Sequence, residues 1–226
     1  ELTNKNGSLL HSYKEGESKI DGFLEDYALL TQAYISLYEV CGEELWLQKA
    51  TRLAQICRDE FKDPNSSLFY FTNNTSETLV AKSIEKEDNV IPSSNAVLAT
   101  SFFKLGLLNG QPELNTLAEE MLQHMHSDLT RYPEGYTQWG QLLLNLIYPY
   151  YEVAVAGKGS GDKVLQMRRN EYYPNILWAF GDKENNVDLL QDRWMDGATY
   201  IFVCQNQSCQ MPTEDVNEAL KLLKFD

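Results

Sequence analysis

The chain has 226 residues, 43% hydrophobic and 23% charged, with 19 Lys and Arg against 33 Asp and Glu for a net charge of −14. This is the composition of a packed, soluble protein, and its acidity excludes a nucleic-acid partner, because repulsion would replace counterion release at the phosphates. No run approaches the roughly 20 apolar residues that span a bilayer, and the first residues lack a basic-then-apolar signal, so no membrane association and a cytoplasmic location are expected.

From Asp21 to Cys41 nearly every side chain is apolar or aromatic, which predicts a helix buried nearly all round. Glu43 to Phe61 keeps Trp46, Ala50, Leu53, Ala54, Cys57 and Phe61 on one stripe and predicts a helix with one wet face. The same alternation returns in Ser94–Asn109, apolar all round, and Pro112–Ser127, amphipathic. A fifth helix, Thr137–Tyr148, is mostly apolar and would be the third inner one. Gly42 and the Gly110–Pro112 turn end one helix and start the next, so each pair reads as an αα-hairpin. Between the pairs, Leu68–Phe71 and Thr78–Val80 flank Asn73–Asn74 and predict a β-hairpin. After Tyr150 the period changes. Val153–Ala156, Ile176–Phe180 and Thr199–Val203 are short continuous apolar runs of the kind found in buried parallel strands, with helical stretches at Lys163–Tyr172, Val187–Arg193 and Asp215–Leu223. The expected fold is mainly α: an αα-hairpin array over residues 1–150, part of an α/α toroid, and a small parallel βαβ-type unit over 151–226. Two clear helix pairs and a fifth helix do not complete a ring of six hairpins, so association with another copy, a homo-oligomer, or with further chain is expected.

Successive inner helices in such an array run the same way, so their N-termini share one end, where free N–H groups favour anionic or hydroxyl-rich ligands. That mouth carries Asp21, Glu25, Asp26 and Tyr27, then Ser93, Ser94 and Asn95, then Tyr136, Gln138 and Trp139, with Glu85, Asp88, Tyr132 and Glu134 on the connections. Carboxylates among rings and amides are what a sugar site uses. Glu25, Asp26 and Asp88 are the candidate acid and base groups. Tyr27 and Trp139 are the candidate stacking rings, and Ser94, Asn95 and Gln138 the candidate hydrogen-bonding groups. Acidic residues in a first turn also simply suit the macrodipole, and Asp21 and Ser94 are ordinary N-caps. Two functions therefore compete: a protein that binds or modifies a carbohydrate or other small polar ligand, and a non-catalytic scaffold.

Gly157–Gly161 follows a strand run but lacks the phosphate-loop and dinucleotide patterns and reads as a turn. No cofactor is expected. Cys204 and Cys209 are too far apart for a C-x-x-C motif; they are half-buried thiols or a small-loop disulfide, and a reducing compartment favours thiols. Cys41 and Cys57 fall on apolar helical positions. His11, His124 and His126 show no metal spacing, so no metal site is expected.

Four stretches, Ser12-Tyr-Lys14, Asp21-Gly-Phe-Leu-Glu-Asp-Tyr-Ala28, Asp88-Asn-Val-Ile-Pro-Ser-Ser-Asn95 and Tyr200-Ile-Phe-Val-Cys-Gln-Asn-Gln-Ser-Cys-Gln-Met-Pro212, resemble the YyaL-like family, also called spermatogenesis-associated thioredoxin-like proteins. The resemblance implies a thioredoxin-like domain followed by an α/α barrel similar to N-acylglucosamine 2-epimerases and six-hairpin glycosidases, of which this chain matches the C-terminal part. It implies a thioredoxin-like domain as partner, places Asp26 and Asn95 at motif positions of the mouth, and carries over no activity. Ser94 stands where the family pattern implies glycine.

Overall fold

The computed structural model describes residues 2–4, 7–74, 82–169, 171–206 and 208–223. Eight α-helices and two small sheets are formed by these residues. The chain starts with a hairpin absent from the sequence reading, β1 (Leu10–Lys14) antiparallel to β2 (Glu17–Asp21). Its turn, Glu15–Gly16, has φ of 55° and 84°, the left-handed pair that matches strand twist in a two-residue loop.

Helix α1 (Leu24–Cys41) therefore begins three residues later than expected, because β2 uses Asp21. Gly42 ends it in a left-handed cap (φ 69°), donating its N–H to the Tyr38 carbonyl at 2.8 Å. A Cβ at this position would lie 2.8 Å from the Phe180 carbonyl, so both conformation and space demand glycine. Helix α2 (Glu44–Glu60) buries Leu47, Ala50, Leu53, Ala54, Ile56 and Cys57 on one face, as its periodicity predicts. Of the hairpin expected after it, the Leu68–Phe71 run forms no strand of a sheet among the described residues. Asp63 gathers the Asn65 N–H, the Ser66 hydroxyl and the Tyr70 hydroxyl at 2.7–3.0 Å, and these bonds hold its carboxyl below the ordinary range. The tight turn folds Phe69 back onto Lys62 as an isolated bridge. Thr78–Val80 lies outside the described residues.

Helix α3 (Ser94–Leu108), between α1 and α6 (Thr137–Ile147), is buried along its length except at Lys104 and Leu107, which are half-buried. The amphipathic segment beside it breaks at Met125 into α4 (Pro112–His124) and α5 (His126–Arg131). Two inner helices differ from expectation. On α1, Ala33, Ser36, Leu37 and Val40 form an exposed stripe, and on α6 Leu143, Leu144 and Ile147 are exposed. Each has an inner neighbour on one side among the described residues, so apolarity alone overstated their burial. Cys41 is exposed for the same reason, whereas Cys57 is buried.

The C-terminal sheet has the order β4-β3-β5-β6, formed by β3 (Tyr151–Ala156), β4 (Ile176–Gly181), β5 (Tyr200–Gln205) and β6 (Ser208–Cys209). β3 and β4 are parallel across α7 (Ser160–Arg168), but β5 runs antiparallel to β3, correcting the all-parallel expectation. Ala156 pairs with both Gly181, where β4 ends, and Tyr200, where β5 begins. The intervening stretch holds only a short 3-10 turn, Asp188–Leu190, and no crossover helix, so β5 starts from the end where β4 stopped. One face of the sheet, with Ala154, Leu177, Ala179 and Phe202, packs into the helical core; the other, with Val153, Val155 and Trp178, is covered by α7 and α8 (Val216–Leu222). Coverage of both faces explains the continuous apolar runs. Across β5 and β6 the register sets Cys204 opposite Cys209, and a disulfide joins them where thiols were expected; the cross-strand position, invisible in the spacing, is what brings the pair together.

Candidate functional site

Residues 85–88 form a strap across helix starts. The Glu85 carboxylate accepts the Ser94 N–H at 3.0 Å, and its carbonyl accepts the Ser93 hydroxyl and the Asn95 amide. The Lys86 carbonyl accepts the Trp139 indole N–H at 2.9 Å. Asp88 accepts the Ser93 N–H at 2.9 Å on one oxygen, and the Thr137 hydroxyl and Gln138 N–H at 3.0 and 2.9 Å on the other. One carboxylate thus caps both α3 and α6, whose N-termini share an end. Glu25, in the first turn of α1, feels the Glu85 charge, so α1 starts at the same end.

The carboxylates expected to act as acids and bases do different work. Asp88 is committed to two caps. Asp26 accepts the Phe23 N–H at 2.8 Å, capping the start of α1, and faces His11 Nδ1 at 3.0 Å. Glu25 makes no cap; partial burial, then the neighbouring Asp26 and Glu85, push its carboxyl above the ordinary carboxylate range, with His11 opposing. A carboxyl whose folded pKa lies above its unfolded one favours folding at low pH and disfavours it once pH has risen through both values. Glu25→Gln should accordingly raise the melting temperature at pH 7 and lose that gain below about pH 4, near the unperturbed Glu value; a Tm at pH 7 equal to or below wild type would contradict this.

The expected stacking rings are core. Trp139 is fully buried, and Tyr27 is buried against Phe61 with its hydroxyl accepting the Leu9 N–H at 2.8 Å. Asn95 is buried and clamps Phe69 with both ends of its amide, at 2.8 and 3.0 Å. Ser94 is buried with no hydrogen-bond partner for its hydroxyl. Gln138 reaches Thr100 at 3.4 Å and belongs to a different surface. At the glycine-rich turn, Asp182 takes the Ser160 N–H and hydroxyl at 3.1 and 2.7 Å, so the start of α7 is already occupied by an anion.

That different surface is a cleft of about 820 Å³ along the middle and C-terminal parts of α1 and α3 and along α6 from Gln138 in its first turn onward. Gln32 and Ser36 come from α1, Thr100, Ser101 and Lys104 from α3, and Gln138, Gln141 and Asn145 from α6, with residues 171–175 closing one side. Its cation, Lys104, is paired with the buried Glu39 carboxylate at 2.7 Å. Asn175 donates to the Pro149 carbonyl, and its Oδ1 is buried without a partner. Glu171 is the one carboxylate among the lining residues. Sequence reasoning found Gln138 here and missed the rest; the signal was the polar side chains at 32, 36, 100, 101 and 104 inside otherwise apolar inner helices. Among the described residues no group of three or more His, Cys, Asp or Glu could hold a metal ion, and no helix is long and apolar enough to cross a membrane.

The comparisons bear out the family resemblance in outline. The chain is similar to spermatogenesis-associated protein 20. It is 26% identical to the Rattus norvegicus protein over 213 residues and 25% identical to the Mus musculus and Homo sapiens proteins over the same length, covering 89% of this chain and 27% of each relative. An uncharacterized protein of Caenorhabditis elegans is 29% identical over 92 residues, 41% of this chain and 12% of that protein. No family model matches. The chain spans about a quarter of the length of the three spermatogenesis-associated proteins it matches.

Proposed function

We propose that residues 1–150 form part of a closed α/α toroid whose inner helices bind, without chemically transforming, a small hydroxyl-rich ligand of the carbohydrate type. The observation that carries this reading is the cleft wall: amides, hydroxyls and tyrosines converge on one concave surface, with its cation already neutralised. Such groups exchange hydrogen bonds with sugar hydroxyls at little net electrostatic cost. Hydrolysis of a glycoside needs two carboxylates across the bond, whereas Glu171 stands alone among the lining residues and Asp26 and Asp88 are held as caps. The site of action in this reading is the cytoplasm.

A thermal-shift screen with mono- and oligosaccharides tests it. A ligand present at 100 times its Kd should stabilise the fold by about 2.7 kcal/mol, and the absence of any shift at millimolar sugar would remove the proposal's support.

A second reading, a scaffold for a thioredoxin-like domain in the longer protein, is favoured by the exposed apolar residues of α1 and α6, among them Val40 at 65% and Ile147 at 61% exposure. Such a surface is expected to be covered by further chain or a second copy. Sedimentation at several concentrations checks this: self-association that Ile147→Lys abolishes supports a covered face, and a strictly monomeric chain speaks against a second copy.

A further inference from the structure

We infer that Cys204 and Cys209 form a thiol–disulfide exchange site in which Arg193 holds the leaving thiolate, and that its co-reactant is a dithiol. The site lies on the β5–β6 hairpin and does not depend on the ligand cleft. Cys204 is buried at 1% exposure while Cys209, on the edge strand, is exposed. The Arg193 guanidinium spans the pair, one terminal nitrogen 3.3 Å from Cys204 Sγ and the other 3.4 Å from Cys209 Sγ. Its plane lies over the Phe202 ring, 5.2 Å from the centroid.

A disulfide sulfur is a weak, neutral acceptor, so it returns little for the partial burial of a guanidinium, part of which the buried Glu152 carboxylate offsets. A thiolate in the same place would make charge-assisted hydrogen bonds to it. The arrangement is therefore complementary to the reduced, ionised cysteines, and a cation beside a thiol is what lowers its pKa and activates it. The other charge bearing on Arg193 is Glu152 of β3, whose backbone pairs with Cys204.

In the exchange, a thiolate of the dithiol attacks the accessible Cys209 Sγ, the Cys204–Cys209 bond breaks, and Cys204 leaves as a thiolate facing Arg193. The second thiol of the co-reactant then attacks the mixed disulfide, releasing Cys209. Two electrons pass from the dithiol to the cysteine pair; of its two protons one ends on Cys209 and the other goes to solvent, since Cys204 stays a thiolate beside Arg193, and the co-reactant leaves as its own disulfide.

The test equilibrates the folded chain with mixtures of reduced and oxidised dithiothreitol and counts alkylated cysteines by mass. Wild type should exchange reversibly while folded. Arg193→Met should shift the midpoint about tenfold toward the disulfide, equivalent to about 30 mV for a two-electron couple, and Arg193→Lys should recover part of the shift. A disulfide that excess dithiothreitol opens only on unfolding, or a midpoint unmoved by Arg193→Met, would overturn the inference. Should Arg193→Met fail to fold, ultraviolet thiolate absorbance of the reduced wild-type protein at pH 7 decides: a thiolate signal supports the site and its absence rejects it.

Discussion

Replacing Asp88 with Ala should lower the unfolding free energy by about 3 kcal/mol, a large share of the 5–15 kcal/mol typical of a domain. The carboxylate satisfies the Ser93 N–H at the start of α3 and the Thr137 hydroxyl and Gln138 N–H at the start of α6. A lost cap costs about 0.5–2 kcal/mol, and hydrogen bonds to a charged acceptor are worth about 1.5–3 kcal/mol, so removing two caps at once lands near 3. Asp88→Asn keeps one acceptor oxygen and can serve one helix, so about half the loss is expected. Urea denaturation with m held constant measures both. An Asp88→Ala protein as stable as wild type would leave the carboxylate free for chemistry and would reverse the reading of the strap.

Glu39→Ala should be comparably damaging, by about 3 kcal/mol, through charge instead of capping. The buried Glu39 carboxylate pairs with Lys104 at 2.7 Å and receives the Trp178 N–H at 3.4 Å, while its own carbonyl accepts from Arg168 at 2.7 Å. The residue thereby joins α1 to α3, to β4 and to α7. Truncating it strands the Lys104 ammonium in a partly buried place, and breaking such a pair costs about 3–5 kcal/mol when fully buried. The double variant Glu39→Ala, Lys104→Met should recover most of the loss, because no unpaired charge remains. If the double variant is as unstable as the single one, the pair is not what Glu39 contributes.

The helices were legible because their apolar positions repeat at helical spacing and their ends carry Gly42, Gly110 and Pro112. The strands were legible as continuous apolar runs, but their direction was not: whether β5 is parallel or antiparallel depends on whether residues 182–199 include a crossover helix. The β1–β2 hairpin escaped notice because its side chains are mostly polar and exposed, leaving no alternation to read. At the candidate site, the sequence singled out Asp26 near a helix start and Asp88 on a connection, but a carboxylate that caps and one that catalyses look alike in sequence. Hydrogen-bond partners separate them. Trp139 and Tyr27 were similarly ambiguous, since a ring that stacks on a ligand and one that fills a core have the same spacing.

The most direct test of the account is a calorimetric titration of the best ligand from the sugar screen into wild type, a Gln141→Ala, Asn145→Ala variant and Glu25→Gln. Loss of two cleft amides should weaken binding about tenfold or more, since each hydrogen bond contributes roughly 0.5–1.5 kcal/mol. Glu25→Gln should leave the affinity unchanged. The opposite pattern, binding abolished by Glu25→Gln and untouched by the cleft variant, would return the site to the acidic end of the helices and contradict the account.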